Sequence, residues 1–311
     1  MINSARVAAL VAALAAGNLS ARQAPAPDNA QLEVLAVQGK VFMLAGAGGN
    51  VSVQIGPDGV LLVDTGLAPL STKLIAEIGK LSKGPIRFIV NTHVHPDHVG
   101  GNAAIATLPP DPLQPLAIMA HGNVLNRLAP PVTGRQTPPP QPGLPIDEYF
   151  TPTKDLHFNG EAIILYHEPN AHTDGDTVVL FRGSDVVSTG DIFVSDNYPF
   201  IDLERGGSVQ GEIAALNHIL QLTVPAKTQE AGTYVVPGHG RICDEADVVE
   251  YRDMVVIIRD RVQDLIKKGM TLEQVKAAKP SLDYDTAYAS QNSFVTPDRF
   301  VEAVYRSLAQ K

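Results

Sequence analysis

A chain of 311 residues, 44% hydrophobic and 18% charged, has the composition of an ordinary globular protein with one large domain or two small ones, and it excludes a collagen-like or largely disordered chain. The formal charge of −9, from 33 acidic against 24 basic residues, argues against a nucleic-acid partner held through its phosphates. A single cysteine, Cys243, excludes an internal disulfide, a thiolate-rich zinc knot and a Cys-x-x-Cys redox pair, so any metal must be held by His and carboxylate.

At the N-terminus, Arg6 precedes an apolar run from Val7 to Ala16, followed by Gly17, Asn18 and a Pro/Ala-rich stretch through Pro27. Residues 1–24 thus have the shape of a signal peptide, with Ala13-Leu14-Ala15 as a cleavage-site pattern, and a periplasmic or secreted protein is expected. The run is shorter than the roughly 20 residues that cross a bilayer, and no later segment reaches that length free of charges, so no stable membrane insertion is expected.

From Leu32 to Asp64, short β-rich runs (Leu32–Val37, Lys40–Leu44, Val51–Ile55, Val60–Val63) alternate with glycine-containing turns, which predicts an antiparallel meander. Leu70, Leu74, Ile75, Ile78 and Leu81 then keep the helical period, and Ile86–Val90 is a continuous apolar run fit for a buried strand. A second such unit follows in Asn102–Leu108, Leu116–Ala120 and the helix-like Gly122–Leu128. Pro130 to Pro145 holds seven prolines and no period, the signature of an irregular loop. Beyond it, Leu156–Phe158, Ala162–His167, Thr177–Phe181 and Val186–Ser188 read as strands, Ser208–Leu222 as an amphipathic helix and Thr233–Val236 as a last short strand. The tail is helical: Val248, Tyr251, Val255, Ile258, Val262 and Leu265 share one face, with Asp244 as a cap and Gly269 as a stop. Thr271 to Gln274 has the capping-box pattern, Pro280 ends that helix, and Pro297 sits just inside a final one. Two sheets with helices outside them, an α/β protein, follow from this order.

The chemistry concentrates in Thr92-His93-Val94-His95-Pro96-Asp97-His98, directly after the buried strand. Alternation sends His93 and His95 to one side of an extended segment, while Asp97 and His98 on the next turn can face a second point nearby. His172 in Ala-His-Thr-Asp-Gly-Asp, Asp191 in Thr-Gly-Asp-Ile-Phe and His239 in Pro-Gly-His-Gly each follow a strand end, beside glycines that let the backbone turn. Five imidazoles and two carboxylates suit zinc, and also iron or manganese.

Through these residues, together with Asp64 in Val-Asp-Thr-Gly, the chain resembles the metallo-β-lactamase superfamily over about residues 30–245. The resemblance implies a four-layer αβ/βα sandwich and a metallo-hydrolase domain over 30–245; the helical tail beyond it reads as a C-terminal extension over 246–311 packed on that domain. The resemblance also implies a division of ligands for two zinc ions: His93, His95 and His172 at one site, Asp97, His98 and His239 at the other, and Asp191 bridging. Asp64 is implied to orient the metal loop from behind. Two cations about 3.5–4 Å apart would make a bridging hydroxide available at neutral pH, and Asp97 would accept its hydrogen bond and return a proton to the leaving group.

The expected reaction is hydrolysis of a carbonyl ester, thioester or lactone in a small molecule, because the glyoxalase II, lactonase and phosphodiesterase branches keep the bridging aspartate where β-lactamases usually have Cys or Ser. Opening of a β-lactam is one alternative, favoured by the export signal; a single-iron persulfide dioxygenase using only the first three histidines is another. His121, His157, His167 and His218 read as surface or locally hydrogen-bonded, and Cys243 as a small buried hydrophobe. The Pro130–Pro145 loop, Tyr198 and Phe200 are candidates for the cleft rim, with ordinary packing the competing reading for the two rings. Gly206-Gly207-Ser208 could present an anion site or simply cap a helix with Ser208. The C-terminal helices carry no chemical motif, and they either cover the sandwich or form a homodimer contact.

Overall fold

A computed structural model describes residues 31–111, 114–129, 141–289 and 294–309. The expected signal peptide, 1–24, and residues 130–140 of the proline-rich stretch lie outside the described residues.

The first sheet holds β1 (Glu33–Gln38), β2 (Val41–Ala45), β3 (Val51–Gly56), β4 (Gly59–Val63), β5 (Ile86–Val90), β6 (Ala117–His121) and β7 (Asp147–Tyr149), in that order. β1 to β4 pair antiparallel as the meander predicts, and β4 to β7 pair parallel. β7, only Asp147-Glu148-Tyr149, has no apolar run and was not legible in the sequence; it exists because β6 offers it a parallel edge. The second sheet runs β12 (Tyr234–Val236), β11 (Val186–Ser188), β10 (Asp176–Phe181), β9 (Glu161–Glu168), β8 (Thr153–Phe158), with only the β11–β12 pair parallel.

Strand alternation decides the layers. Leu61 and Val63 of β4 point toward Phe158, Ile163, Leu165 and Val179 of the second sheet, whereas Val60 and Leu62 point outward to Leu74 and Ile78 of α1 (Ser71–Leu81). Two more helices on that side are short: α2 (Pro96–Val99) and α3 (Asn102–Ala106), followed after β6 by α4 (Gly122–Leu128). The turn that carries Asp97 and His98 is helical, started by Pro96 at its first position, where a missing N–H does no harm. On the second sheet, Val179 and Phe181 face inward while Val178 faces Leu216 and Ile219 of α5 (Val209–Leu222). Helices, sheet, sheet and helices make a four-layer αβ/βα sandwich.

α6 (Glu245–Lys267) lies on α5. Its Asp244 side chain accepts from the backbone N–H of Ala246 and Asp247, and Asp247 reaches back to Asp244 N–H, a cap that contributes about 1 kcal/mol. α7 (Leu272–Ala277) has the Thr271/Gln274 capping box, and after α8 (Asp285–Tyr288) the chain ends in α9 (Pro297–Ala309). Val248, Tyr251, Val255 and Ile258 of α6 and Phe300, Val301 and Val304 of α9 share one core cluster with α5. Burying such a set contributes about 1.5–3 kcal/mol per side chain before the entropy of ordering it is subtracted. Among the described residues, no helix is long and apolar enough to cross a membrane.

Candidate metal centre

The ends of β4, β5, β11 and β12 deliver Asp64, the Thr92–His98 loop, Asp191 and His239 to one end of the sandwich, and the β9–β10 loop adds His172. Backbone hydrogen bonds knit these loops together. Gly49 N–H donates to Asp97 O, Asn50 N–H to Gly238 O, and Thr177 N–H to Thr92 O. Two glycines are required by closeness alone: a Cβ on Gly49 would lie 2.4 Å from the His98 ring, and one on Gly238 would lie 2.1 Å from Asp191 Oδ1.

The seven residues singled out by sequence are brought together in two groups, His93, His95, His172, Asp191 and Asp97, His98, Asp191, His239. In each, one potential ligand atom per residue lies within 4.8 Å of the others. Asp191 belongs to both. Its Oδ2 faces His93 Nε2 at 3.8 Å and His172 Nε2 at 3.9 Å, and its Oδ1 faces His98 Nε2 at 3.0 Å and His239 Nε2 at 3.5 Å. His95 enters through Nδ1, 2.9 Å from His172 Nε2. Asp97 Oδ2 lies 3.2 Å from His239 Nε2.

Whether these residues fit divalent cations is tested by atoms left without hydrogen bonds. Among the described residues, His93 Nε2, both Asp97 carboxylate oxygens, His98 Nε2 and Asp191 Oδ1 are buried and lack one. Unmade hydrogen bonds of buried groups are expensive, about 1–3 kcal/mol each. Four of the five belong to the second group and one, His93 Nε2, to the first, where His95 Nδ1 and His172 Nε2 face each other at 2.9 Å; orphaned ligand atoms of this chemistry fit divalent cations.

Electrostatics agree. Burial, with the neighbouring imidazoles, pushes His93 well below its ordinary value and His172 down to about 4, the neutral state a metal ligand needs. Burial acts the other way on Asp191 and Asp97, but the facing His98 and His239 outweigh it and hold both carboxyls ionised. Burial likewise disfavours charge on His98 and His239, yet the surrounding carboxylates raise both, His239 to about 10. The second group therefore attracts positive charge strongly.

Four of the five imidazoles are aimed by a partner behind them. Asp64 accepts from Thr92 N–H at 2.8 Å, Thr92 Oγ1–H at 2.6 Å and His98 Nδ1–H at 2.7 Å. Because Thr92 Oγ1 donates to Asp64, it can accept from His93 Nδ1–H at 3.0 Å, so one carboxylate fixes a histidine in each group. His95 Nε2–H donates to Asp202 Oδ2 at 2.9 Å, itself held by Arg205 Nη1 at 2.7 Å, and His172 Nδ1–H donates to Phe200 O. Asp176 accepts from Thr173 N–H and Oγ1–H and stiffens the His172 loop; Asn50 Nδ2 donates to Pro237 O and Gly240 O around His239.

Sequence reasoning found Asp64 but missed Asp202, Asn50 and Asp176. Asp202 also accepts from Arg205 N–H, so locally it is only a helix-capping aspartate. Of the softer candidates, Tyr198 packs in the core on Phe300, and Ser208 caps α5 by accepting from Gly211 N–H. Phe200 stands against the site, its ring 5.7 Å from those of His95 and His172. His121, His157, His167 and His218 lie outside both groups: His121 is buried and stacks on His167 at 3.6 Å, and His218 pairs with Glu168. Cys243 is buried in the helical core.

Comparison with known proteins gives the same frame. The family model for the metallo-beta-lactamase superfamily matches residues 45–239. A linear primary-alkylsulfatase from Pseudomonas sp. (strain ATCC 19151) is 46% identical over 52 residues, 16% of this chain and 10% of that protein. Among solved structures, the stereoselective inverting sec-alkylsulfatase Pisa1 from Pseudomonas sp. superposes with a TM-score of 0.67 at 15% identity, covering 88% of this chain and 50% of that one. A metallo-beta-lactamase from Pontibacter korlensis has a TM-score of 0.55 at 18% identity, covering 72% of this chain and 99% of that one. The chain thus spans about half the length of the sec-alkylsulfatase and matches a tenth of the curated relative.

Proposed function

The chain belongs to the metallo-beta-lactamase superfamily, and from that premise we propose that it is a dinuclear metal-dependent hydrolase of small-molecule esters, with zinc as the metal. The observation that carries the reading is Asp191, whose two oxygens face two different ligand groups. A persulfide dioxygenase would need only the first group. Here the second is equally complete.

His93, His95 and His172 would hold one cation, Asp97, His98 and His239 the other, and Asp191 both. Bound there, the ions would supply a hydroxide nucleophile at neutral pH and polarise the ester group. The chain's own residues do the rest. Asp64 and Asp202 keep the imidazoles in the tautomers that present a bare nitrogen to the centre. Asp97, ionised and with Oδ1 free of hydrogen bonds, can orient a water and take its proton. The side chains of His95, Asp191 and His239 are 13%, 12% and 33% exposed against 0–2% for His93, Asp97, His98 and His172, which marks the side where substrate enters.

For the substrate we place an alkyl sulfate ester first, because two similar proteins are alkylsulfatases; a carbonyl ester, thioester or lactone stands second, favoured by the retained bridging aspartate. The test is metal analysis of the purified full chain with a hydrolysis panel: an alkyl sulfate, a carboxylate ester, an S-acyl glutathione, a lactone and a β-lactam, assayed with and without oxygen. Two equivalents of metal, oxygen-independent turnover and loss of both in Asp191→Ala are expected. A wild-type protein that binds only one metal, or that hydrolyses nothing when loaded, overturns the reading. Export is part of the proposal: mass spectrometry of protein from the periplasmic fraction should find an N-terminal segment of about 15–24 residues removed, and an uncleaved Met1 recovered from the soluble cytosolic fraction would refute it.

A further inference from the structure

We propose that Phe200, Phe294 and Arg299 form a wall beside the metal centre that binds the apolar alkyl or aryl group of the ester, with Phe294 as its specificity-determining residue; this rests on the hydrolase reading above. Phe200 stands at the open side, its ring 5.7 Å from His95 and from His172, and its carbonyl is the acceptor for His172 Nδ1–H. The wall therefore cannot shift without disturbing a ligand. Phe294 meets Phe200 edge to face, with ring centroids 5.2 Å apart and planes at 81°, a favoured aromatic geometry.

Phe294 is 43% exposed, one of five large hydrophobic side chains so placed among the described residues. It is not left loose. The Arg299 guanidinium lies 4.4 Å from its ring centroid and 5.9 Å from that of Phe200, and Arg299 Nη1 donates to Phe294 O at 2.8 Å. Arg299 belongs to α9, whose next residues Phe300 and Val301 are buried in the core. A clamped aromatic face next to catalytic groups loses little entropy on binding and offers area to an apolar group. Because the arginine is already engaged on the rings and the carbonyl, the wall reads apolar surface, and Arg299 acts by positioning Phe294. Neither residue lies within the span 45–239 that matches the family model, so this part of the cleft is supplied by the chain's own C-terminal segment.

The experiment uses the zinc-loaded full chain and two ladders of linear chains from butyl to decyl: alkyl sulfonates, which cannot be hydrolysed, measured by calorimetry, and alkyl sulfates measured by kcat and KM. In the wild type, affinity should rise about two- to threefold per methylene, less than the roughly fourfold of full burial because the wall is open on one side. Phe294→Ala should lose about tenfold in affinity for the decyl sulfonate and less than about twofold for the butyl one, through KM and not kcat, with two metals still bound. Phe294→Leu should restore most of the slope, and Arg299→Met should flatten it part-way while the melting temperature stays high. Equal slopes in wild type and Phe294→Ala, or no slope in the wild type, overturn the wall. If the sulfonate slope is lost in Phe294→Ala but no sulfate is hydrolysed by any form, the wall stands and the sulfate-ester assignment falls.

Discussion

Replacing Asp64 by Asn tests the claim that one carboxylate behind the centre orients ligands in both groups. The backbone at Asp64 is left-handed, with φ of 64°, a conformation that Asn and Asp tolerate alike, so the change is confined to hydrogen bonding. Asp64 receives three donors: Thr92 N–H, Thr92 Oγ1–H and His98 Nδ1–H. An amide has one accepting oxygen. With that oxygen toward Thr92 Oγ1 and His98, the amide NH2 faces the Thr92 N–H, and two buried donors meet; the flipped amide leaves two side-chain donors without acceptors. At about 1–3 kcal/mol per buried unsatisfied group, the metal-free protein should lose roughly 2–4 kcal/mol. For a chain of this size that lowers the melting temperature by roughly 3–6 °C. In the holoenzyme, His98 loses the partner that keeps Nε2 bare, and affinity for the second metal equivalent should fall about 10–100-fold. Thermal melts of the apo form and zinc titration against a competing chelator measure the two effects. An apo melting temperature within about 1 °C of wild type together with two unchanged zinc affinities would refute the reasoning.

Asp202→Ala should show the complementary pattern in the same titration, weakening the first equivalent about 10–100-fold, since its carboxylate serves His95 alone among the ligands. Gly49→Ala puts a Cβ 2.4 Å from the His98 ring; about 1–3 kcal/mol of overpacking strain and loss of one zinc per chain by metal analysis are expected, and full occupancy at wild-type affinity would contradict the packing argument. Stability should depend on His218 with a definite sign. Glu168 beside it raises its pKa above the ordinary 6.5, with burial opposing, so its contribution is complete below pH 6.5 and fades as pH rises through the folded-state value. The stability difference between wild type and His218→Gln, measured by urea unfolding of the zinc-loaded protein, should be larger at pH 6 than at pH 9; a difference that grows with pH would reverse the sign.

Most of the strands and long helices were legible because periodicity and caps are local. The strand at Val60–Val63, the cap at Asp244, the capping box at Thr271 and Pro297 at the head of α9 all stand where the pattern puts them. β7 and the turn of helix after His95 were not, since three polar residues and a proline carry no period and take their conformation from what lies beside them. The seven residues that the fold brings together are legible in the sequence because histidines crowded into one loop, and lone His or Asp residues flanked by glycine after strands, are rare patterns.

By itself the sequence determined which residue types could hold a cation and roughly where the chain had to turn to expose them, since each of those signals needs only neighbours in the chain. Tertiary structure decided which oxygen of Asp191 faces which group, that Asp64 reaches Thr92 and His98 and Asp202 reaches His95, and that Phe294, from the far end of the chain, rests on Phe200. Those contacts join residues up to 107 positions apart. Local propensity has no term for such pairs; they are fixed by how the two sheets and their outer helices pack.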